Sequence, residues 1–174
     1  MKKLIDRHVS KLHDNIHILG GSMSVKTDKQ SYNPGETVTA AITVNFKKPI
    51  KVRGIFAELV CMETHRLKTH VAMDRYDYHL DKELGVEKST NIRTQVQDIR
   101  RTIFSEKKKV AGEGEYATGT FEVQFTLPDD AWATSYEYGH DNKIHKWVLS
   151  AKFDVPMTVD KNAETEIMVK GLSV

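Results

Sequence analysis

The sequence predicts an all-β protein, an antiparallel β-sandwich, and three observations favour this fold class. Apolar and polar residues alternate strictly in several separate stretches, which is typical of strands with one buried and one solvated face. Prolines and glycines separate these stretches and mark turns between them. At 174 residues, the chain is long enough to bury a substantial core within a single domain.

The first long strand follows a turn of sequence Asn-Pro-Gly-Glu. In this turn Pro34 fixes the φ angle of the first central position, and Gly35 supplies the positive φ that a type II turn requires next. The strand itself is predicted over Thr37–Phe46, where every second residue is apolar. A second strand is predicted from Ile50 to Met62. Its apolar phase shifts by one residue at Gly54, which indicates a β-bulge.

Three further strands are predicted in the second half of the chain. Phe121 to Leu127 alternate until a proline, Trp147 to Val155 alternate until another, and Ala163 to Val169 form the last stretch. The inward phases of these strands and of the first one predict a common core between two sheets. The predicted core consists of Ile42, Val44, Phe121, Phe125, Trp147, Leu149 and Phe153.

An N-terminal extension of residues 1–22 is expected to precede a sandwich spanning residues 23–172. Apolar residues recur there at helical spacing, at Ile5, Val9, Leu12, Ile16 and Leu19. One interpretation is a helix docked on the sandwich or on a second copy of the chain. The other is a basic amphipathic helix that contacts an anionic membrane surface or a partner. A short strand over Met23–Thr27 also fits the alternation.

Residues 65–115 show the least regular pattern. Only short alternations occur, and Lys107 to Glu115 read as an exposed turn region rich in lysine, glycine and glutamate. We predict an irregular excursion here, which carries either a short helix or an extended hairpin.

The turn and strand motifs resemble the amino-terminal domain of the arrestin family, over about residues 23–170. The residues that carry the resemblance are Tyr32, Pro34, Gly35, Glu36, Arg53, Gly54, Pro128, Asp154 and Pro156. The resemblance implies an immunoglobulin-like sandwich of the arrestin type. Most eukaryotic arrestins contain two such sandwiches, whereas this chain has room for one.

Composition restricts the functional classes. With 26 Lys and Arg against 24 Asp and Glu, the net charge is +2, so no strong field attracts nucleic acid. The single cysteine, Cys61, lies on an apolar strand phase and is expected to be a buried thiol in a reducing compartment. The first residues lack the apolar core of a signal peptide, and we expect a cytoplasmic protein.

Motifs for catalysis, metal or cofactor binding are not found in the sequence. Its eight histidines lack the spacing of a zinc site, and Ser135 and Cys61 have no nucleophile signature around them. The glycines at positions 112 and 114 alternate with glutamates, which is the wrong charge for cradling phosphate. We therefore expect no enzyme activity, no metal and no cofactor.

Clustered basic residues are the best candidates for a binding site. The sequence clusters are Lys47, Lys48, Lys51, Arg53, Lys107, Lys108 and Lys109. Such groups attract acidic or phosphorylated segments, although ordinary solvated charge on strand edges explains them equally well. The resemblance adds Lys26 and Lys29, which lie in the region where receptor-binding arrestins hold phosphate-sensing lysines.

The function predicted from these features is that of a non-catalytic scaffold or adaptor, which binds acidic or phosphorylated segments of another protein. One alternative is a self-assembling structural, stress-associated or sporulation-control-like arrestin protein, and homo-oligomers fit either function. A carbohydrate-binding sandwich is a further alternative, which a shared surface formed by Trp132, Tyr136 and Tyr138 would favour. Membrane contact is expected only through the N-terminal extension.

Overall fold

The computed structural model describes residues 21–72, 92–156 and 161–171, and these contain eight strands and no helix. The strands are β1 (Gly21–Thr27), β2 (Ser31–Tyr32), β3 (Thr37–Val52), β4 (Gly54–Ala72), β5 (Ile92–Ala111), β6 (Gly114–Thr126), β7 (Lys143–Asp154) and β8 (Lys161–Val169). One sheet has the order β1-β3-β6, and the other has the order β2-β8-β7-β4-β5. All pairs are antiparallel except β2 with β8, which is parallel. The predicted fold class is confirmed.

The core between the two sheets contains the predicted apolar residues. Six of the seven are buried, and Phe121 is partly buried and packs against the others. The alternation therefore identified the correct face of each strand, because a one-residue error would have reversed every side chain. Met23 and Val25 are buried on β1, which confirms the short strand predicted there. The helix predicted within residues 1–22 lies outside the described residues, apart from the last two positions.

The predicted turn before β3 is present. Gly35 has a φ angle of +78°, and the backbone N–H of Glu36 donates to Asn33 O at 3.1 Å. Glu36 also folds its carboxylate back onto Asn33, accepting bonds from its backbone and side-chain amides at 3.0 Å each. The backbone N–H of Gly35 donates to Pro128 O at 3.1 Å, which ties the turn to the end of β6.

The chain changes sheets at Arg53, where a β-bulge was predicted beside Gly54. Residues up to Val52 pair with β6 in the first sheet, and residues from Gly54 pair with β7 in the second. The phase shift is thus real, but its cause is a corner between two sheets. At this corner Arg53 Nε donates to Asp154 Oδ1 at 2.9 Å, and the Arg53 backbone N–H donates to Asp154 O at 2.8 Å.

The lysine-lysine-proline step that precedes the corner does not end β3. The pairing of β3 with β6 jumps from Asn45 opposite Thr118 to Ile50 opposite Tyr116, so the residues between them form an irregular outward step within one strand. Lys47 and its two following neighbours are exposed there.

In the described part of residues 65–115, where we expected an irregular excursion, the chain is mostly regular strand. Strands β4 and β5 pair from Ile55 opposite Ala111 as far as Ala72 opposite Ile92. This is the extended hairpin among the forms considered. Its alternation was hard to recognise because most side chains from Thr94 to Arg101 are exposed on both faces, so neither face is consistently apolar.

Candidate functional site

Lys47 and Lys48 extend into solvent from the outward step of β3, and Lys51 follows this step on the same strand. All three are exposed, and none forms a hydrogen bond or an ion pair with another residue in the described ranges. Lys51 lies opposite Glu115 in the strand register. The rigid strand fixes their backbones, while their ammonium groups remain available to an external anion.

The second basic cluster divides into residues with different roles. Lys108 Nζ donates to Gln124 O on β6 at 2.7 Å and lies 3.1 Å from Glu106 Oε1. It therefore closes the seam between the two sheets and does not face an external partner. Lys107 Nζ lies 4.8 Å from the ring centroid of Phe56. Lys109 is exposed and has no hydrogen-bonded or ion-paired partner among the residues described.

The fold brings parts of both clusters to the same end of the sandwich. Val52, at the end of β3, pairs with Gly114 at the start of β6, while Ile55 pairs with Ala111 at the end of β5. We name Lys47, Lys48, Lys51 and Lys109 the corner cluster, because the first three lie on β3 within six residues of Arg53 and Lys109 lies two residues from Ala111 on β5. Two exposed acids, Glu113 and Glu115, lie at the same end.

Three other predicted binding residues are not part of this cluster. Arg53 is held by Asp154, which assigns it to the corner itself. Lys29 lies 3.6 Å from Glu36 Oε2 and 5.7 Å from the Tyr32 ring centroid, so it supports the turn. Lys26 is exposed near the far end of β1, about 17 Å along the strand from Gly21, which pairs with Phe46.

A buried carboxylate, which the sequence analysis missed, lies on β4, between β7 and β5 in the second sheet. Glu63 is 4% exposed, and its oxygens accept from Arg101 Nε at 2.7 Å and lie 3.3 Å from both Lys143 Nζ and His145 Nε2. Burial raises the pKa of Glu63, but hydrogen bonds from Arg101, His145 and Lys143 outweigh that effect and lower the pKa to about 2. The group is thus a permanently ionised structural anchor at neutral pH.

The signal for this anchor was present in the sequence. Leu59, Cys61 and Glu63 share the inward phase of β4, so an acid continues an apolar series. Its partners come from β5 and β7, which lie far away in sequence and could not be identified from spacing. Burial, followed by the nearby charge of Glu63, raises the pKa of Cys61 to about 12, so this thiol is protonated and unreactive at neutral pH.

Two of the three aromatic residues of the segment between β6 and β7, Trp132 and Tyr138, have separate partners inside the protein, whereas Tyr136 is 51% exposed. Trp132 stacks on His145 with ring centroids 6.2 Å apart, and the Trp132 carbonyl accepts from Trp147 Nε1 at 2.8 Å. The guanidinium of Arg66 lies 3.9 Å from the ring centroid of Tyr138. The rings of Trp132 and Tyr138 thus contact different residues of the protein, which does not favour the carbohydrate alternative.

Neither a metal-binding group of side chains nor a membrane-spanning helix is found among the described residues. No group of three or more His, Cys, Asp or Glu side chains lies close enough together there to hold a metal ion. Within the same ranges, no helix is long and apolar enough to cross a membrane.

Two facing sheets, a proline–glycine turn and an arginine-locked corner define an arrestin-type β-sandwich protein. The chain belongs to the family described as arrestin (or S-antigen), C-terminal domain, whose model matches residues 22–169. The sequence motifs had suggested the amino-terminal domain, and that finer assignment is not confirmed. Those motifs identify the arrestin-type sandwich, but they do not distinguish its amino-terminal from its carboxy-terminal domain.

A solved structure with the same architecture is that of Spo0M, a sporulation control protein from Bacillus subtilis. It matches this chain with a TM-score of 0.56 and 20% sequence identity, over 88% of this chain and 51% of that one. This chain therefore spans about half the length of the Spo0M chain, and at such low identity the likeness shows the fold alone. A search of the curated proteins found no match.

Proposed function

We propose that this protein is a non-catalytic scaffold or adaptor whose corner cluster binds acidic or phosphorylated segments of a partner protein. Domains of the arrestin family generally bind other proteins and are generally not enzymes. The observation that carries the proposal is that four exposed lysines, Lys47, Lys48, Lys51 and Lys109, lie on the strands that meet at one end of the sandwich and have no internal partners in the described part of the chain.

The physical basis is local charge on a nearly neutral molecule. The net charge of +2 provides little long-range attraction, so a bound anion would have to lie close to the cluster itself. An ammonium group without an internal partner binds an anion at a lower free-energy cost than a paired one, because no existing ion pair must be broken. At physiological salt their attraction is screened beyond about 8 Å, which makes binding sensitive to ionic strength.

A second candidate function is self-assembly as a structural or sporulation-control-like protein. Spo0M, which has the same sandwich architecture, is a sporulation control protein, and this motivates the sporulation-control form of the alternative. We also propose a cytoplasmic location, because the only cysteine is buried and unpaired, as is common in reducing compartments.

The test of the main proposal measures binding of fluorescein-labelled peptides by fluorescence anisotropy. A phosphoserine-rich peptide and a glutamate-rich peptide are the acidic probes, and a lysine-rich peptide is the negative probe. We expect the acidic probes to bind at about 50 mM NaCl and to be released progressively towards about 300 mM, as screening increases. The variant with Lys47, Lys48 and Lys51 all changed to Glu should bind them at least about tenfold more weakly, with an unchanged melting temperature.

The matched control changes Lys26, Lys68 and Lys170 to Glu. These lysines are also exposed, and none has a side-chain hydrogen bond or ion pair to another described residue. The control variant therefore changes the net charge by the same amount as the test variant, but away from the corner cluster. The control should retain most of the binding. Equal losses of peptide affinity in both variants would show that binding depends only on net charge, and would contradict a specific site at the corner.

A further inference from the structure

Strands β4 and β5 continue together beyond the sandwich as a two-stranded ribbon. The pairing of β7 with β4 ends where Lys143 lies opposite His65, whereas β4 and β5 remain paired as far as Ala72 opposite Ile92. Among the residues that the structure describes, 66–72 and 92–98 therefore have only each other as strand neighbours. Isolated two-stranded ribbons are marginally stable in water, and a further strand stabilises them.

The free edge of β5 changes character along its length. The half beside the sandwich contains register irregularities opposite Cys61–Met62 and Ile55–Phe56, and it also carries the lysines 107–109. Bulges and edge lysines are the features that prevent a strand edge from pairing with another chain. The half from Thr94 to Arg101 has regular pairing, no lysine and no proline, so this edge is open to a further strand.

Apolar side chains are exposed along the same open half. Val96 is 57% exposed and Ile99 is 43% exposed, the two largest values among the described aliphatic side chains that are exposed. The opposite edge of the ribbon, on β4, carries Lys68, and an edge lysine opposes pairing with another strand. These differences direct a partner strand to β5.

Symmetry and charge together select one way in which two copies could pair. A twofold axis perpendicular to a sheet preserves its two faces, so one residue of an antiparallel pair must lie opposite its own copy. Centring on Asp98, Arg100 or Arg101 would place like charges opposite each other, and centring on Gln97 would oppose Arg101 to Arg93.

Centring the pair on Ile99 removes every such conflict. Asp98 then lies opposite the partner's Arg100 on both sides of the axis, Gln97 lies opposite the partner's Arg101, and Val96 lies opposite the partner's Thr102. Among the centres between Val96 and Arg101, it is the one that places opposite charges directly across from each other.

The carboxylate of Asp98 accepts hydrogen bonds from residues on the β4 side of the ribbon. Its Oδ1 accepts from Arg66 Nε at 2.9 Å, and its Oδ2 accepts from Arg66 Nη2 at 2.9 Å and from Tyr138 Oη at 3.0 Å. Because Arg66 lies directly opposite Asp98 on β4, these contacts do not cover the free edge of β5.

We propose that two copies of this chain form an antiparallel dimer through the open half of β5, with Ile99 on the twofold axis. The two ribbons then join into one four-stranded sheet in the order β4-β5-β5-β4. The second copy satisfies the unpaired backbone groups of the edge and covers Val96 and Ile99. This surface is separate from the corner cluster, which lies at the other end of β5.

Analytical ultracentrifugation of the full chain and of two variants at Ile99 tests the proposal. We expect a concentration-dependent dimer for the natural chain at micromolar concentrations. Ile99→Lys and Ile99→Glu should each be monomeric, with at least about tenfold weaker association, because like charges meet on the axis. Mixing the two variants should restore a dimer with one copy of each, since Lys then faces Glu.

Thr69→Lys is the matched control, because it adds the same charge to the ribbon on β4 and should leave the dimer intact. Arg100→Glu gives an independent route to a monomer, because it places Glu opposite the partner's Asp98. A natural chain that stays monomeric at about 200 μM, or Ile99 variants that still associate alone, would overturn the proposal. So would a mixture that remains monomeric. Binding of the acidic peptides should persist in every Ile99 variant, which separates this test from that of the corner cluster.

Discussion

Gly35 has a φ angle of +78°, a backbone conformation that residues with a Cβ atom rarely adopt. A Cβ at this position would also lie 2.7 Å from Asp129 Oδ1. We expect Gly35→Val to lower the free energy of unfolding by about 1–3 kcal/mol, because the strain exists only in the folded state. Chemical denaturation monitored by tryptophan fluorescence measures this loss.

Gly112→Val is the matched control for that substitution. An added Cβ at Gly112 meets no atom within 4 Å, and its φ angle is not in the left-handed region. The control should be close to the natural chain in stability. Similar losses in both variants would show that the backbone angle of Gly35 is not the cause.

Glu63 contributes stability that depends on pH. Its pKa falls from an ordinary value of 4.5 to about 2 in the folded protein, so the folded state prefers the ionised carboxylate. The contribution of Glu63 is therefore fully present above about pH 4.5 and is lost as the pH falls through about 2. We expect Glu63→Gln to be less stable at pH 7 and to lose less of its remaining stability between pH 5 and pH 2.

The control for this prediction is Glu122→Gln on the exposed face of β6, where no hydrogen bond or ion pair to a described residue is lost. Denaturant unfolding curves at several pH values provide the comparison. If Glu63→Gln and the natural chain lost stability in parallel between pH 5 and pH 2, the anchor role of Glu63 would be wrong.

At the scale of elements, β7 supplies the centre of the second sheet and inserts Trp147 between the two sheets. Trp147 is 0% exposed, and its ring lies 5.3 Å from that of Phe104. We expect Trp147→Ala to cost about 3–5 kcal/mol of unfolding free energy, and Phe125→Ala on β6 a similar amount, because each leaves a cavity in a packed core. Thermal and denaturant melts measure both losses.

Trp132→Ala removes a side chain of the same type that is 40% exposed. The backbone carbonyl of residue 132, which accepts from Trp147, is retained in that variant. Its cost should be clearly smaller than that of Trp147→Ala. The core assignment fails if the order of the two costs is reversed.

At the scale of the whole molecule, the sequence predicted the structural features that depend on residues close in sequence. It did not predict the features that depend on contacts between residues far apart in sequence. Alternation placed Ile42 and Phe125 on the buried faces of their strands, because side-chain direction follows a local period of two. It could not show that the chain changes sheets at Arg53, since strand pairing involves residues far apart in sequence. The partners of Glu63 and the seam contact of Lys108 were missed for the same reason.

The pairing of β2 with β8 joins parts of the described chain that are far apart in sequence. Ser31 lies opposite Met168, Tyr32 lies opposite Val169, and the Lys170 backbone N–H donates to Tyr32 O at 2.8 Å. Loop closure of this length costs more chain entropy than joining β4 to β5 or β7 to β8, so this contact should form late in folding. Interactions that form after the transition state mainly slow unfolding. The short strand β2 should therefore affect the lifetime of the native state more than the speed at which the protein folds.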